Sequence, residues 1–164
     1  MKNSLLLLFA VCLLCFTNVN AQVKRTGIPH FRIGRTDRTY FDDGKLKKGK
    51  RVLFIYFLPD CDDCRQFTTV LLKNLADLHD LQIVMITNSN LDMLTRFEHD
   101  FNLKNYRNII AGTESYTGLF QNQFHIESFP FAAAYDKSGK LIRVFENYKD
   151  PEVLIREIKS VYRQ

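Results

Sequence analysis

The stretch Val52-Leu53-Phe54-Ile55-Tyr56-Phe57-Leu58-Pro59-Asp60-Cys61-Asp62-Asp63-Cys64-Arg65 decides how this chain folds. Its first six residues are an unbroken apolar run, which predicts a central strand buried on both faces. Pro59 ends that strand, since proline has no N–H to give a ladder. Further on, Phe67, Val70, Leu71, Leu75 and Leu78 recur at helical spacing and predict an amphipathic helix. Leu81 to Thr87 is a second apolar run. Strand, helix and strand over this length make a βαβ unit, so the two strands are expected to be parallel. Cys61 and Cys64 stand where the first strand gives way to the helix.

Outward from this unit the pattern continues. Residues 30–41 alternate loosely and predict a hairpin or edge strand, with a turn near Asp42-Asp43-Gly44. Asn90 is placed to cap a helix near 91–101. Asn108 to Ala111 reads as a short strand and Ser115 to Gln123 as a short helix. After Pro130, Phe131 to Tyr135 and Leu141 to Phe145 flank the turn residues Asp136-Lys137-Ser138-Gly139, an antiparallel hairpin. Asp150 and Pro151 start a last helix, with Leu154, Ile155, Ile158, Val161 and Tyr162 on its buried face. One mixed central sheet flanked by helices, an α/β sandwich of three layers, satisfies every apolar face.

The chain has 164 residues, 46% hydrophobic and 25% charged, which excludes collagen, low-complexity disorder and a multi-pass membrane protein. Residues 1–21 differ from the rest. Lys2 is their only charge, Leu5 to Phe16 is wholly apolar, and small residues stand near Val19 and Ala21. That is the form of a secretory signal cleaved after Ala21, leaving one domain over 22–164. The apolar run is shorter than the roughly 20 residues a span requires, so no stable membrane span is expected after cleavage. Residues 24–51 carry ten Lys or Arg against three Asp. In an exported protein this reads as a solvated hairpin face rather than a nucleic-acid surface.

Cys12 and Cys15 leave with the signal, so the mature chain keeps only Cys61 and Cys64. Two cysteines are too few for a disulfide framework. The loop they would close is so short that bracing contributes roughly 2 kcal/mol or less. At a helix N-terminus, free N–H groups and the dipole favour a thiolate, the attacking species in thiol–disulfide exchange. Cys64, one turn on and more buried, would resolve the mixed disulfide. The histidines His30, His79, His99 and His125 show no paired metal-ligand spacing. Arg65 stands where a c-type haem motif needs histidine.

These residues resemble the thioredoxin-like superfamily, in particular exported thiol–disulfide oxidoreductases of the TlpA/ResA kind and their peroxiredoxin-related cousins. The likeness is carried by the strand running into Cys61-Asp62-Asp63-Cys64, by Gly49-Lys50-Arg51 before it, by Phe129-Pro130 before the last hairpin, and by the turn Asp136 to Lys140. It spans roughly residues 28–163. It implies a thioredoxin-like fold, catalysis by the Cys61/Cys64 redox pair, and a cis Pro130. The backbone of Phe129 would then pair with an extended substrate like an added strand. Pro59, Asp60, Asp62 and Asp63 would shape the site. No cofactor beyond the redox-active disulfide is implied, and no metal. The partners implied are protein thiols or disulfides and an electron-donor protein, in the periplasm or outside the cell.

The departures are informative. Asp60 stands where the family often has an aromatic residue, and Ile55 where thioredoxins keep a buried acid. Three aspartates beside the thiolate disfavour its charge, which points to a pair that prefers the disulfide and acts as a reductant. Leu58 stands where peroxiredoxins need Thr or Ser, which weakens a peroxidase reading. Two other readings stay open: a copper- or zinc-binding module using Cys61, Cys64 and His125, or an interaction domain with a permanently oxidised pair.

Overall fold

The computed structural model describes residues 27–163. The expected signal at 1–21 and the start of the domain at 22 lie outside the described residues. In chain order the elements are β1 (Arg32–Gly34), β2 (Tyr40–Asp42), β3 (Val52–Tyr56), α1 (Asp62–Lys73), β4 (Gln82–Thr87), α2 (Leu91–Asp100), β5 (Ile109–Thr113), α3 (Leu119–Phe124), β6 (Phe131–Tyr135), β7 (Leu141–Phe145) and α4 (Pro151–Tyr162). The strands form one mixed sheet in the order β2-β1-β5-β4-β3-β6-β7. β3 pairs parallel with β4, and β4 parallel with β5. β6 runs antiparallel to β3, and β7 antiparallel to β6.

The side-chain period of two divides the central strand between two cores. Leu53, Ile55 and Phe57 pack with Cys64, Phe67 and Leu71 of α1, Leu94 and Phe97 of α2, and Leu154, Ile155 and Ile158 of α4. Val52, Phe54 and Tyr56 point to the other face, against Phe120 of α3, Ile126, and Phe31 and Ile33 of the N-terminal hairpin. Every residue of β3, β4 and β6 is buried. This is why those three segments read as continuous apolar runs and not as alternating ones. Aromatic rings fill the second core: Phe54 meets Phe31 edge-on at 5.2 Å and Tyr135 edge-on at 5.6 Å.

Several boundaries differ from the reading of the sequence, each for a local reason. The first helix ends at Lys73 because Asn74 turns its amide back onto the Val70 carbonyl at 2.9 Å. Leu75–Leu78 continues as a turn of 3-10 helix and still buries Leu78. The N-terminal hairpin reverses at 35–39, where Asp37 Oδ1 accepts from the Thr39 amide and hydroxyl. The turn expected near Asp42-Asp43-Gly44 is a 3-10 turn after β2. β5 runs on to Thr113 beside β4, so β4, α2 and β5 make a second βαβ unit. There Gly112 is required by close approach, since a Cβ would lie 2.7 Å from the Ile33 side chain. The last helix starts as expected, with Asp150 Oδ1 accepting from the Glu152 and Val153 amides.

Burial pushes the ionisation of two phenols, Tyr56 and Tyr162, to a pH above the ordinary tyrosine value. The Tyr162 hydroxyl donates to the Val52 carbonyl at 2.8 Å and ties α4 to the start of β3. Below about pH 10 both phenols are neutral in folded and unfolded chains alike. Above it the unfolded chain loses these protons while the folded chain keeps them, so stability falls as pH rises. Thermal melts from neutral pH upward are therefore expected to show a declining Tm above about pH 10. Tyr162→Phe is expected to start lower and decline less steeply. An identical slope for the variant contradicts this.

Candidate active site

The site is built at the end of β3. Phe57 continues the strand path, its amide donating to the Ile86 carbonyl at 3.0 Å. Pro59 is buried and stops the ladder. The chain turns between Leu58 and Cys61, with the Cys61 amide on the Leu58 carbonyl at 3.2 Å. Cys61 is the N-cap of α1, in extended conformation, and its Sγ accepts from the Cys64 amide at 3.3 Å. A sulfur thus does the work that Ser or Asp does at most helix starts. The next turn is fixed by the Arg65 amide on the Cys61 carbonyl at 3.0 Å and by Thr68 Oγ1 on the Cys64 carbonyl at 2.8 Å.

The two thiols are free and differ in surroundings. Cys61 is half-buried and Cys64 fully buried, at 0% exposure. Burial, followed by hydrogen bonding to Cys61, pushes the Cys64 thiol well above the usual cysteine range. Ile55 is also fully buried and packs in the same core as Cys64. An aliphatic side chain therefore occupies the floor where the resemblance would put an acid.

Asp60, Asp62 and Asp63 are exposed around this turn. Asp62 and Asp63 fall in the first turn of α1, where negative charge stabilises a helix by about 0.3–1 kcal/mol per group. The same positive helix end faces the Cys61 sulfur.

The register of β6 against β3 sets Phe131 opposite Tyr56. Pro130 therefore lies across from the start of the Cys61 loop. The Phe129–Pro130 peptide is cis. Pro130 lines one shallow cleft with Asp63, Gln66 and Phe67 of α1, with Tyr148 and Lys149, and with Pro151 at the start of α4. Cys61 and Phe129 both pack on the edge of the core that holds Cys64. The eight residues singled out in the sequence thus gather at one end of the sheet.

Arg65 belongs there as well. Its guanidinium donates to the Pro59 carbonyl at 3.2 Å and to Asp100 at 2.8 Å, and lies 5.1 Å over the Phe101 ring. It clamps the Pro59–Asp60 turn to α2. Asn147, in left-handed conformation, donates its amide to Ser128 Oγ at 3.3 Å and holds the approach to Pro130. The sequence signals Arg65 only by its adjacency to Cys64, and nothing in it pairs Asn147 with Ser128. His125 is exposed, at the end of α3. Among the described residues, no group of three or more His, Cys, Asp or Glu could hold a metal ion.

No protein-family model matches the chain, and no curated protein matches it by sequence. Solved structures do. The chain is similar to a secreted Mycobacterium tuberculosis disulfide oxidoreductase homologous to E. coli DsbE, with a TM-score of 0.65 and 17% identity over 79% of this chain and 95% of that one. It is similar to MTB DsbF, in mixed oxidised and reduced forms, with a TM-score of 0.65 and 17% identity over 80% and 94%. A thiol:disulfide interchange protein of the thioredoxin family from Chlorobium tepidum gives 0.61 and 20% over 83% and 95%. The fold is thioredoxin-like, as the sequence motifs implied.

Proposed function

We propose that this chain is an exported thiol–disulfide oxidoreductase of the TlpA/ResA kind, which reduces protein disulfides with Cys61 and Cys64. The observation that carries the reading is the asymmetry of the pair: a half-exposed sulfur at a helix N-cap and a sealed one a turn behind it. Support for export is the apolar segment Leu5–Phe16 with its small residues before Gln22. No helix among the described residues is long and apolar enough to cross a membrane.

In the reduced pair, the Cys61 thiolate attacks one sulfur of a substrate disulfide. The substrate S–S bond breaks, a Cys61–substrate disulfide forms, and the other substrate sulfur leaves as a thiolate. Cys64 gives up its proton to that leaving sulfur and attacks the Cys61 sulfur. The mixed disulfide breaks, and the second substrate sulfur departs as a thiolate and takes from solvent the proton that Cys61 released on ionising. Two electrons pass from the pair to the substrate, which leaves as a dithiol, and the pair becomes a disulfide. No bound cofactor enters this cycle. A dithiol donor protein restores the pair by the reverse exchange. Pro130 and the Phe129 backbone form the docking wall, while Pro59, Asp60, Asp62 and Asp63 form the other side.

The reducing direction rests on charge. Asp60, Asp62 and Asp63 repel the thiolate of the reduced form and leave the neutral disulfide untouched. Burial likewise disfavours an ionised Cys64.

The reading is tested by trapping. Cys64→Ala, reduced and mixed with insulin, is expected to accumulate a disulfide adduct through Cys61, and Cys61→Ala none. Absence of an adduct from Cys64→Ala contradicts the reading. The direction is tested by the midpoint potential, which should lie well below the value of about −120 mV typical of strong oxidants. Asp62→Asn/Asp63→Asn should raise it, by about 30 mV for each tenfold change in equilibrium constant. A wild-type value near the oxidant range, or an unmoved potential in the variant, overturns the charge argument.

A further inference from the structure

On the face of the sheet opposite the cysteines, a carboxylate is sealed in the core. Glu114 follows β5 and is only 4% exposed. Its amide donates to the Thr87 carbonyl at the end of β4, at 2.9 Å. Its Oε1 accepts the Tyr56 hydroxyl at 2.6 Å and the Gln121 amide at 3.3 Å, and its Oε2 accepts the Phe120 amide at 2.7 Å. Gln121 Oε1 lies 3.4 Å from the Tyr56 hydroxyl and accepts from Asn88 Nδ2 at 3.0 Å. The carboxylate thus joins the end of β3 to α3, while the Glu114 backbone amide ties the same residue to the end of β4.

Burying a carboxylate is costly unless hydrogen bonds replace its water, and an apolar filling would serve stability as well. What this cluster holds is therefore informative. Gln121 grips the segment that leads to Pro130: its carbonyl accepts the Ile126 amide at 3.0 Å, and its side-chain amide donates to the Ile126 carbonyl at 3.3 Å. The Tyr56 ring, fixed by its hydroxyl, stacks on Phe120 at 6.0 Å and on Phe129 at 6.0 Å. Phe129 packs against both cores, so it passes the placement of Tyr56 through to the cysteine side of the sheet.

We propose that Tyr56, Glu114 and Gln121 are positioning residues that fix the Ile126–Pro130 segment and so set the preference of the site for a polypeptide disulfide over a small one. The inference rests on the disulfide-exchange reading. A polypeptide substrate needs the Phe129 backbone at a fixed height above Cys61, whereas a small disulfide needs only the sulfur. None of the three residues touches the reacting atoms.

The test compares two probes on the reduced protein: insulin, and hydroxyethyl disulfide, which has no peptide backbone to pair. Tyr56→Phe keeps the ring and leaves Glu114 short of its strongest donor. The ratio of kcat/KM for insulin to that for hydroxyethyl disulfide is expected to fall about tenfold, the scale of one hydrogen bond to a charged group, with the loss in KM. Glu114→Gln should do the same. Tyr56→Phe/Glu114→Gln together should recover part of the ratio, because no charge is left without its donor. Gln121→Ala, at a half-buried position, carries the same expectation where Glu114→Gln fails to fold. An unchanged ratio in the variants overturns the positioning role and leaves disulfide exchange standing. A wild type that reduces neither probe removes both.

Discussion

The Cys61 sulfur accepts the Cys64 amide because β3 stops where it does, and nearly everything at this end of the molecule follows from that hydrogen bond. Val52 to Phe57 has no exposed residue, so its depth in the sheet is fixed by packing on both faces. Pro59 then ends the ladder, and the chain must turn within a few residues before Phe67, Leu71 and Cys64 seat in the core. The only group left at the N-cap is a sulfur. Its partner, one turn on, lies on the buried stripe of the same helix. Exposure of one thiol and burial of the other are two consequences of one placement.

Charged groups crowd the turn that carries the pair. Helix starts favour negative charge, and Asp62 and Asp63 take that position in α1. They steady the start of the helix. Ile55 below the pair offers no acid to receive the Cys64 proton. In the proposed cycle the leaving substrate sulfur fills that role, which couples resolution to the first exchange. Behind the sheet the chain does keep a buried acid, Glu114, spent on holding backbone in place and remote from the thiols.

What was legible in the sequence was set by local signals with strong physics. Continuous apolar runs announced β3, β4 and β6, a helical stripe announced α1, and Asp150-Pro151 announced α4. The Cys61 to Cys64 spacing at a strand–helix junction, with Phe129-Pro130 before a hairpin, marked the site. Less was readable where several weak signals compete. Asn74 interrupts a stripe that reads unbroken through Leu78, because a side-chain amide competes for the Val70 carbonyl. β5 is longer than its apolar letters, since Gly112 and Thr113 are held there by β4 and by the hairpin rather than by their own propensity. No local signal marks Glu114, because its partners Tyr56 and Phe120 are brought to it only by the fold.

The fold presents Cys61 and withholds Cys64. Timed alkylation of the fully reduced protein with iodoacetamide at neutral pH, mapped by peptide mass spectrometry, tests it most directly. Cys61 should be modified first, and Cys64 should stay protected until denaturant unfolds the chain. Equal rates at the two thiols, or faster modification of Cys64, would contradict the account.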